Sequence, residues 1–253
     1  MTYYDVEDEL ESEEDVPQRL PIRNDSRLRI LVDMREALQR QRIAFGNRIG
    51  ALDRADDTGD HTSRDVMEWW QNHFRAAEAQ ANIDIKYALR DHPIYEYMRG
   101  VKGVGPLLSA QLIAQVDISR SPTVSAFWRY AGYAVINGER EKKTKGEKLR
   151  YNARLKKICY LIGMSFIKSR SPYADVYYSS KAYYEANRPD WTKLHIHNAA
   201  IRRMIKHFLT HLWLVWRELE GYETRSLYVE EYLGHERITS PAEFGWYGNG
   251  SGR

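Results

Sequence analysis

The run of residues 98–113, MRGVKGVGPLLSAQLI, has the residue types and spacing best suited to binding chemistry. Gly103 and Gly105 permit a tight turn without a Cβ clash, and Val104 is expected to be buried between the two flanking helices. Backbone N–H groups at the start of the second helix then point outward and can receive a phosphate oxygen, and Lys102 adds charge beside them. This pattern is typical of a helix-hairpin-helix motif and predicts phosphate contacts that hold a duplex without reading its sequence. The alternative is a plain corner between two helices.

A second stretch, residues 139–157, is strongly basic, with nine Lys and Arg against three Glu. Its first half is interrupted by glycine and is predicted to be a loop, while its second half opens a helix that runs to about residue 168. Such an arrangement suits a phosphate-lined groove whose affinity falls with salt, although a solvated basic face has the same pattern. The cations expected to contact nucleic acid here are Lys142, Lys143, Lys145, Lys148, Arg150, Arg154 and Lys157. Three nearby tyrosines are candidates for stacking on unpaired bases: Tyr130, Tyr133 and Tyr151.

No other pattern predicts a catalytic residue, a metal or a cofactor. His207 and His211 lie one helical turn apart, but zinc needs three or four ligands and no H-E-x-x-H arrangement is present. Nucleophile-elbow, Walker and dinucleotide-binding patterns are missing from the sequence as well. The single cysteine, Cys159, lies in an apolar segment and is expected in the core, and one cysteine excludes an intrachain disulfide framework.

Hydrophobic periodicity predicts that these residues are positioned by an almost all-α protein. Helices over residues 27–53 and 63–89 are expected to form a long antiparallel, coiled-coil-like hairpin. Leu31, Leu38, Phe45 and Leu52 recur seven residues apart in it, as in a coiled-coil seam. The apolar surface of the hairpin is expected either to pair with a second copy of the chain or to pack on the chain's own C-terminal domain.

A compact helical domain over residues 91–222 is predicted to follow the hairpin of residues 27–90. Its last strong helix is expected at about 193–220, and only residues 131–138 look extended. Ser121 and Ser171, each followed by Pro, are expected to cap helices.

Length and charge limit the possible partners and the cellular compartment. A chain of 253 residues fits one large domain, or one domain with a helical appendage. Residues 1–20 contain eight acidic side chains and one Arg, so within the net charge of +3 the remainder has +10. The acidic tail, residues 1–26, either competes with a polyanionic partner or is simply solvated, and residues 223–253 are expected to be loop or disorder. Without an apolar run of about 20 residues or a signal peptide, we expect a cytoplasmic, nucleoid-associated protein with no membrane contact.

Residues 91–221 resemble the C-terminal domain of the DEDD-type transposases of bridge-RNA-guided insertion elements. The segments that carry the resemblance are Asp91-His-Pro, the run 98–113, Ser125–Gly132, Lys148–Ile158, Ser171-Pro-Tyr and the closing helix 197–219. The resemblance implies a DNA-binding helix-hairpin-helix domain and a coiled-coil segment, here residues 27–90, that forms a homodimer. Members of that family use a guide RNA, so a structured RNA is a further expected partner.

The sequence departs from this family in its catalytic parts. The family pairs an RNase-H-like domain, in which four acidic residues bind metal, with a nucleophilic Ser in the C-terminal domain. Nothing before residue 27 has the alternating apolar strands of such a domain, and Thr144 stands where the family's Ser-Gly segment loosely aligns. We therefore expect a dimeric nucleic-acid-binding protein that is transposase-derived or transposase-accessory and lacks its own nuclease centre. The alternatives are an active recombinase subunit that uses Thr144 with a metal domain from another chain, and a protein-interaction module with an acidic partner.

Overall fold

The computed structural model describes residues 26–54, 61–136, 139–140, 146, 149–224 and 241, and within them the chain is almost entirely helical. The all-α fold class predicted from the sequence is therefore confirmed. The α-helices among the described residues are α1 (Ser26–Arg54), α2 (His61–Leu89), α3 (Pro93–Gly100), α4 (Pro106–Ile113), α5 (Val124–Tyr130), α6 (Ala153–Ser169), α7 (Tyr173–Asn187) and α8 (Lys193–Leu219). A 3-10 turn, Ile118–Arg120, precedes α5. Two-residue strands β1 (Val135–Ile136) and β2 (Glu139–Arg140) pair antiparallel, with Val135 opposite Arg140.

The two long helices α1 and α2, which we call the helical pair, lie side by side and run in opposite directions. The Phe45 and Phe74 rings meet with centroids 5.6 Å apart. Nearer the end of α1, Asp53 Oδ1 lies 2.7 Å from Arg64 Nη1, close to the start of α2. The four residues at the predicted seven-residue spacing are only half-buried. The buried residues of α1 are instead Leu28, Val32, Arg35 and Ile49.

A buried ion-paired cluster joins the middle of the helical pair. Arg35 and Glu78 are both only 7% exposed, and Arg35 Nη2 donates to Glu78 Oε1 at 2.6 Å. Arg42 Nε donates to the other carboxylate oxygen, also at 2.6 Å. Arg35 also donates to the side chains of Gln39 and Asn82. The cluster therefore links α1 and α2 by charge-assisted hydrogen bonds in the buried part of their interface.

One end of the helical pair packs on the C-terminal domain. Leu28 of α1 and Leu89 of α2 are completely buried and belong to the same apolar core as α3–α8. A hydrogen bond also joins α4 to α1: Gln111 Nε2 donates to Glu36 Oε1 at 3.0 Å. Of the two alternatives for the apolar surface of the pair, packing on the chain's own domain thus holds for this end.

Helix α8 forms the centre of the C-terminal domain. Met204, Phe208 and Leu212 of this helix are fully buried in the core. Trp213 Nε1 of the same helix donates to Ser121 O at 2.8 Å, which ties the segment before α5 to the core.

The capping roles predicted for Ser121 and Ser171 were wrong. Helix α5 is capped by Thr123, whose side chain accepts from Ala126 N at 3.1 Å. Helix α7 has Pro172 at its N-cap position and no side-chain cap. Both serines lie one or two residues ahead of the position from which a side chain can reach the free N–H groups of the first turn.

Candidate nucleic-acid interface

The candidate phosphate-binding element is the turn between α3 and α4, residues 101–105, which we call the Gly turn. Val101 N donates to Met98 O at 3.2 Å and Val104 N donates to Val101 O at 3.0 Å, so the turn closes tightly on the end of α3. Val104 is buried at 6% exposure, as predicted, while Lys102 and Gly105 on either side are exposed. The turn thus anchors itself in the core through valine and presents a cation and a glycine to solvent.

The two glycines of the turn have different structural roles. Gly103 has φ +99°, and a Cβ built there would lie 2.6 Å from Ser169 Oγ of α6. Its carbonyl also accepts a hydrogen bond from Ser165 Oγ at 2.6 Å. Gly105 has φ −82°, and a Cβ there would meet no atom within 4 Å. The fold therefore requires glycine at 103 but not at 105.

The first turn of α4 follows directly on the Gly turn and contains backbone N–H groups that are not used inside the helix. Gly105 is the N-cap residue and makes no side-chain cap, and Pro106 takes the first helical position. The first intrahelical bond is made by Ser109 N, which donates to Gly105 O at 3.0 Å. In a helix the N–H groups before that bond, here those of Leu107 and Leu108, have no partner in the helix. Such groups, together with the helix dipole, favour an anion.

The structure separates the cations predicted to bind nucleic acid into groups. Lys142, Lys143, Lys145 and Lys148, with Thr144, lie outside the described residues. Arg150 and Lys157 are exposed near the start of α6, whereas the Gly turn contacts Ser165 and Ser169 near its end. At 1.5 Å per residue, about 12 Å of helix axis separates Lys157 from Ser165. The cations of α6 and the Gly turn therefore form two neighbouring regions rather than one site.

Arg154 points toward α1 rather than to a nucleic-acid surface. Its guanidinium forms ion pairs with Asp33 and, at 3.0 Å, with Glu36 Oε2. Two carboxylates therefore occupy this side chain, and it joins α6 to the helical pair.

The three tyrosines predicted to stack on bases differ in exposure. Tyr133 is buried at 5% exposure, whereas Tyr130 is 39% exposed and its OH donates to Gln115 O at 2.8 Å. Tyr151 lies against the backbone of Gly132, where an added Cβ would come within 2.7 Å of its ring, and Lys156 Nζ lies 4.2 Å from the ring centroid.

An open cleft of about 400 Å³ lies between α6 and α8. Its lining residues are Tyr133, Tyr151, Ala153, Lys156, Lys157, Tyr160, Asn198, Ile201 and Arg202. Burial, and secondarily the positive charge of Arg202, lower the pKa of the nearby Lys206. Tyr160 was not among the candidate residues predicted from the sequence. The spacing of Lys156 and Tyr160, four apart in a helix, is the signal that places the cation and the ring on one helical face.

Two of the histidines on α8 each lie beside a tyrosine hydroxyl. His211 Nδ1 lies 2.7 Å from Tyr173 OH, which in turn lies 3.0 Å from Tyr97 OH. His197 Nδ1 lies 2.7 Å from Tyr177 OH. Among the described residues, no group of three or more His, Cys, Asp or Glu side chains is arranged to hold a metal ion. No helix in the same part of the chain is long and apolar enough to cross a bilayer.

Comparison with known families bears on the segment from α3 to α7. Residues 95–179 match the model of the Transposase IS116/IS110/IS902 family. This segment is therefore similar to part of a transposase family. The match spans 85 of the 253 residues and contains the Gly turn and α6. No curated protein and no solved structure gives a significant match to the chain.

Proposed function

We propose that this transposase-related protein binds double-stranded or branched DNA through phosphate contacts at the Gly turn. The observation that carries the proposal is the combination at residues 102–108 of an exposed cation, an open glycine and the uncapped start of α4. A phosphate can approach the N–H groups of Leu107 and Leu108 closely because Gly105 has no side chain to exclude it. Lys102 then supplies charge beside the same phosphate.

The proposal includes a role without catalysis. The protein would be transposase-derived or transposase-accessory, with no nuclease centre of its own. It would bind DNA as a homodimer whose two copies contact each other through residues 27–90. The transposase-family match supports descent from a transposase. Descent from the DEDD-type enzymes of bridge-RNA-guided elements would add a structured RNA as a partner.

The proposal is tested by the salt dependence of duplex binding. Lys102→Ala should weaken binding of a labelled DNA duplex and lower the slope of log K against log salt concentration by about 0.9, because one phosphate contact is lost. Fluorescence anisotropy at several salt concentrations measures both quantities. Lys181→Ala is the matched control, since it removes a lysine from α7 that is partly exposed and close to one acidic side chain, Glu185.

Two results would contradict the proposal. One is a salt slope in Lys102→Ala equal to that of the wild type while the protein remains folded. The other is an equal loss in Lys181→Ala, which would show that duplex binding depends on total charge and not on the Gly turn. A four-way junction used beside the duplex distinguishes branched from linear DNA.

A further inference from the structure

The cleft between α6 and α8 combines aromatic rings with positive charge. Tyr160 lines the cleft and is 42% exposed, so its ring is accessible. Lys156, Lys157 and Arg202 also line the cleft, and no described lining residue is acidic. A concave surface whose described charged residues are all cations favours anions, because its walls have low dielectric and these charges have one sign.

The first turn of α6 adds a second feature that favours an anion in this cleft. Ala153, the first residue of the helix, lines the cleft, so the positive end of the helix dipole lies at its wall. Asn152 caps the helix by accepting from Leu155 N at 3.0 Å. That cap occupies one N–H group of the first turn, and the helix geometry leaves those of Ala153 and Arg154 without intrahelical partners.

Several contacts hold the walls of the cleft in place. Tyr151 is packed on Gly132, and Lys156 is held over the Tyr151 ring. Tyr133 OH donates to Lys156 O at 3.3 Å, which connects the floor of the cleft to α6. A site whose side chains are already ordered loses little conformational entropy when it binds a ligand. Its volume is at the lower end of the range for small-ligand sites, about 300–1,000 Å³, and suits one nucleotide.

We infer that this cleft binds a single unpaired nucleotide, with the base on Tyr160 and the phosphate between the start of α6 and the exposed cation Lys157. The Asn198 side chain offers both a donor and an acceptor to a base edge. An aromatic ring beside cations matches this ligand because a nucleotide joins a flat ring to a phosphate. Binding of a nucleotide that belongs to a DNA strand rests on the proposed function, but the cleft is a different surface from the Gly turn. The same chemistry could come from an unpaired nucleotide of a strand or from a free nucleotide.

Binding of a labelled deoxyadenosine single strand to the full chain tests the inference. Tyr160→Ala should lower the affinity by about 5- to 150-fold, the loss expected for one stacked base, and Tyr160→Phe should retain it. An abasic strand of equal length and charge should bind the wild type as weakly as the normal strand binds Tyr160→Ala. Tyr183→Ala, which removes an exposed tyrosine of α7 outside the cleft, is the control and should change nothing.

Competition with AMP and with inorganic phosphate identifies the ligand. If AMP displaces the strand at concentrations where phosphate does not, the site recognises the nucleotide unit and also takes it free. If neither displaces the strand and the Tyr160 effect holds, the site takes the nucleotide only within a strand. Wild-type affinity in folded Tyr160→Ala would overturn the inference, as would displacement by phosphate equal to that by AMP.

Duplex binding by the same variants separates the proposed nucleotide site from the proposed duplex-binding function. Tyr160→Ala should bind duplex DNA as the wild type does, and Lys102→Ala should keep the Tyr160-dependent binding of the single strand. A protein that binds single strands through Tyr160 but no duplex would retain this inference and remove the proposed duplex function.

Discussion

Gly103 and Gly105 look equivalent in the sequence motif, but the fold requires only one of them to be glycine. Gly103 combines a positive φ with close contact to α6, whereas Gly105 has an ordinary φ and open space around it. A glycine that the fold does not need is available for a ligand that approaches the backbone closely. Conformation therefore explains Gly103, and phosphate contact is our proposed explanation for Gly105.

Alanine substitution separates these explanations. Gly103→Ala should lower the free energy of unfolding by about 1–3 kcal/mol, because alanine is strained at this φ and its Cβ meets Ser169. Gly105→Ala should change it by no more than about 0.5 kcal/mol, as for an unconstrained surface position, yet weaken duplex binding. Chemical denaturation and anisotropy measure the two effects. Equal stability losses in the two variants would contradict the different roles assigned to these glycines.

At the scale of elements, the sequence predicted helices well and their contacts less well. The helix predicted at 27–53 matches α1, and that at 63–89 matches α2, to within two residues. Spacing alone placed Leu31, Leu38, Phe45 and Leu52 in a coiled-coil-like seam, yet all four are only half-buried. Periodicity identifies the faces of a helix, but a neighbouring element decides which face is covered.

The candidate site shows the same division. The position of the Gly turn between two helices, and the burial of Val104, followed from the sequence because both depend on residues close together in the chain. The ion pairs of Arg154 with α1 join residues more than a hundred positions apart, and no local pattern indicates them. The cleft likewise depends on α6 lying beside α8.

The buried cluster around Glu78 gives a test of what aligns the helical pair. Glu78→Ala should lower the free energy of unfolding by about 3–5 kcal/mol, because Arg35 remains buried without its carboxylate. The double variant Arg35→Met/Glu78→Leu should recover most of this loss, since two apolar side chains replace both charges. Asp53→Ala, which breaks an exposed pair with Arg64, is the control and should lower the free energy of unfolding far less than Glu78→Ala, because water screens exposed ion pairs.

Thermal and denaturant unfolding of these three variants distinguish an aligning cluster from an incidental one. A loss in Glu78→Ala no larger than that in the Asp53 control would show that the cluster contributes little. A double variant as unstable as Glu78→Ala would show that the loss comes from the packing of these side chains rather than from the unpaired charge.

At the scale of the whole molecule, the helical pair and the candidate DNA site are mechanically joined. Helix α4, whose first turn belongs to the site, packs on both α1 and α2. The Gln111–Glu36 hydrogen bond and the Arg154 ion pairs add polar contacts at the same junction. A dimer formed through the helical pair would therefore hold two Gly turns at a fixed separation, which favours binding of two phosphate positions on one DNA.

The surface that would form this dimer is an aromatic patch on α2, made of Val66, Trp69 and Trp70. Val66 is 53% exposed and Trp70 is 44% exposed, and the two tryptophan rings meet with centroids 4.9 Å apart. Residues three and four apart lie on one side of a helix. Exposed tryptophans in a cluster are typical of protein interfaces, where a single such residue often accounts for about 2 kcal/mol.

We therefore predict that the wild type is a dimer in solution and that Trp69→Ser/Trp70→Ser raises the dimer Kd by at least about 30-fold. Sedimentation equilibrium over a range of concentrations measures this Kd. Tyr178→Ser/Tyr183→Ser, which removes two exposed rings from α7, should leave it unchanged. Because the tryptophan patch is separate from the Gly turn, the tryptophan variant should still bind a short duplex with one protomer, but lose the added affinity for a longer one. A monomeric wild type, or a variant that dimerises as tightly as the wild type, would remove the patch as the dimer interface.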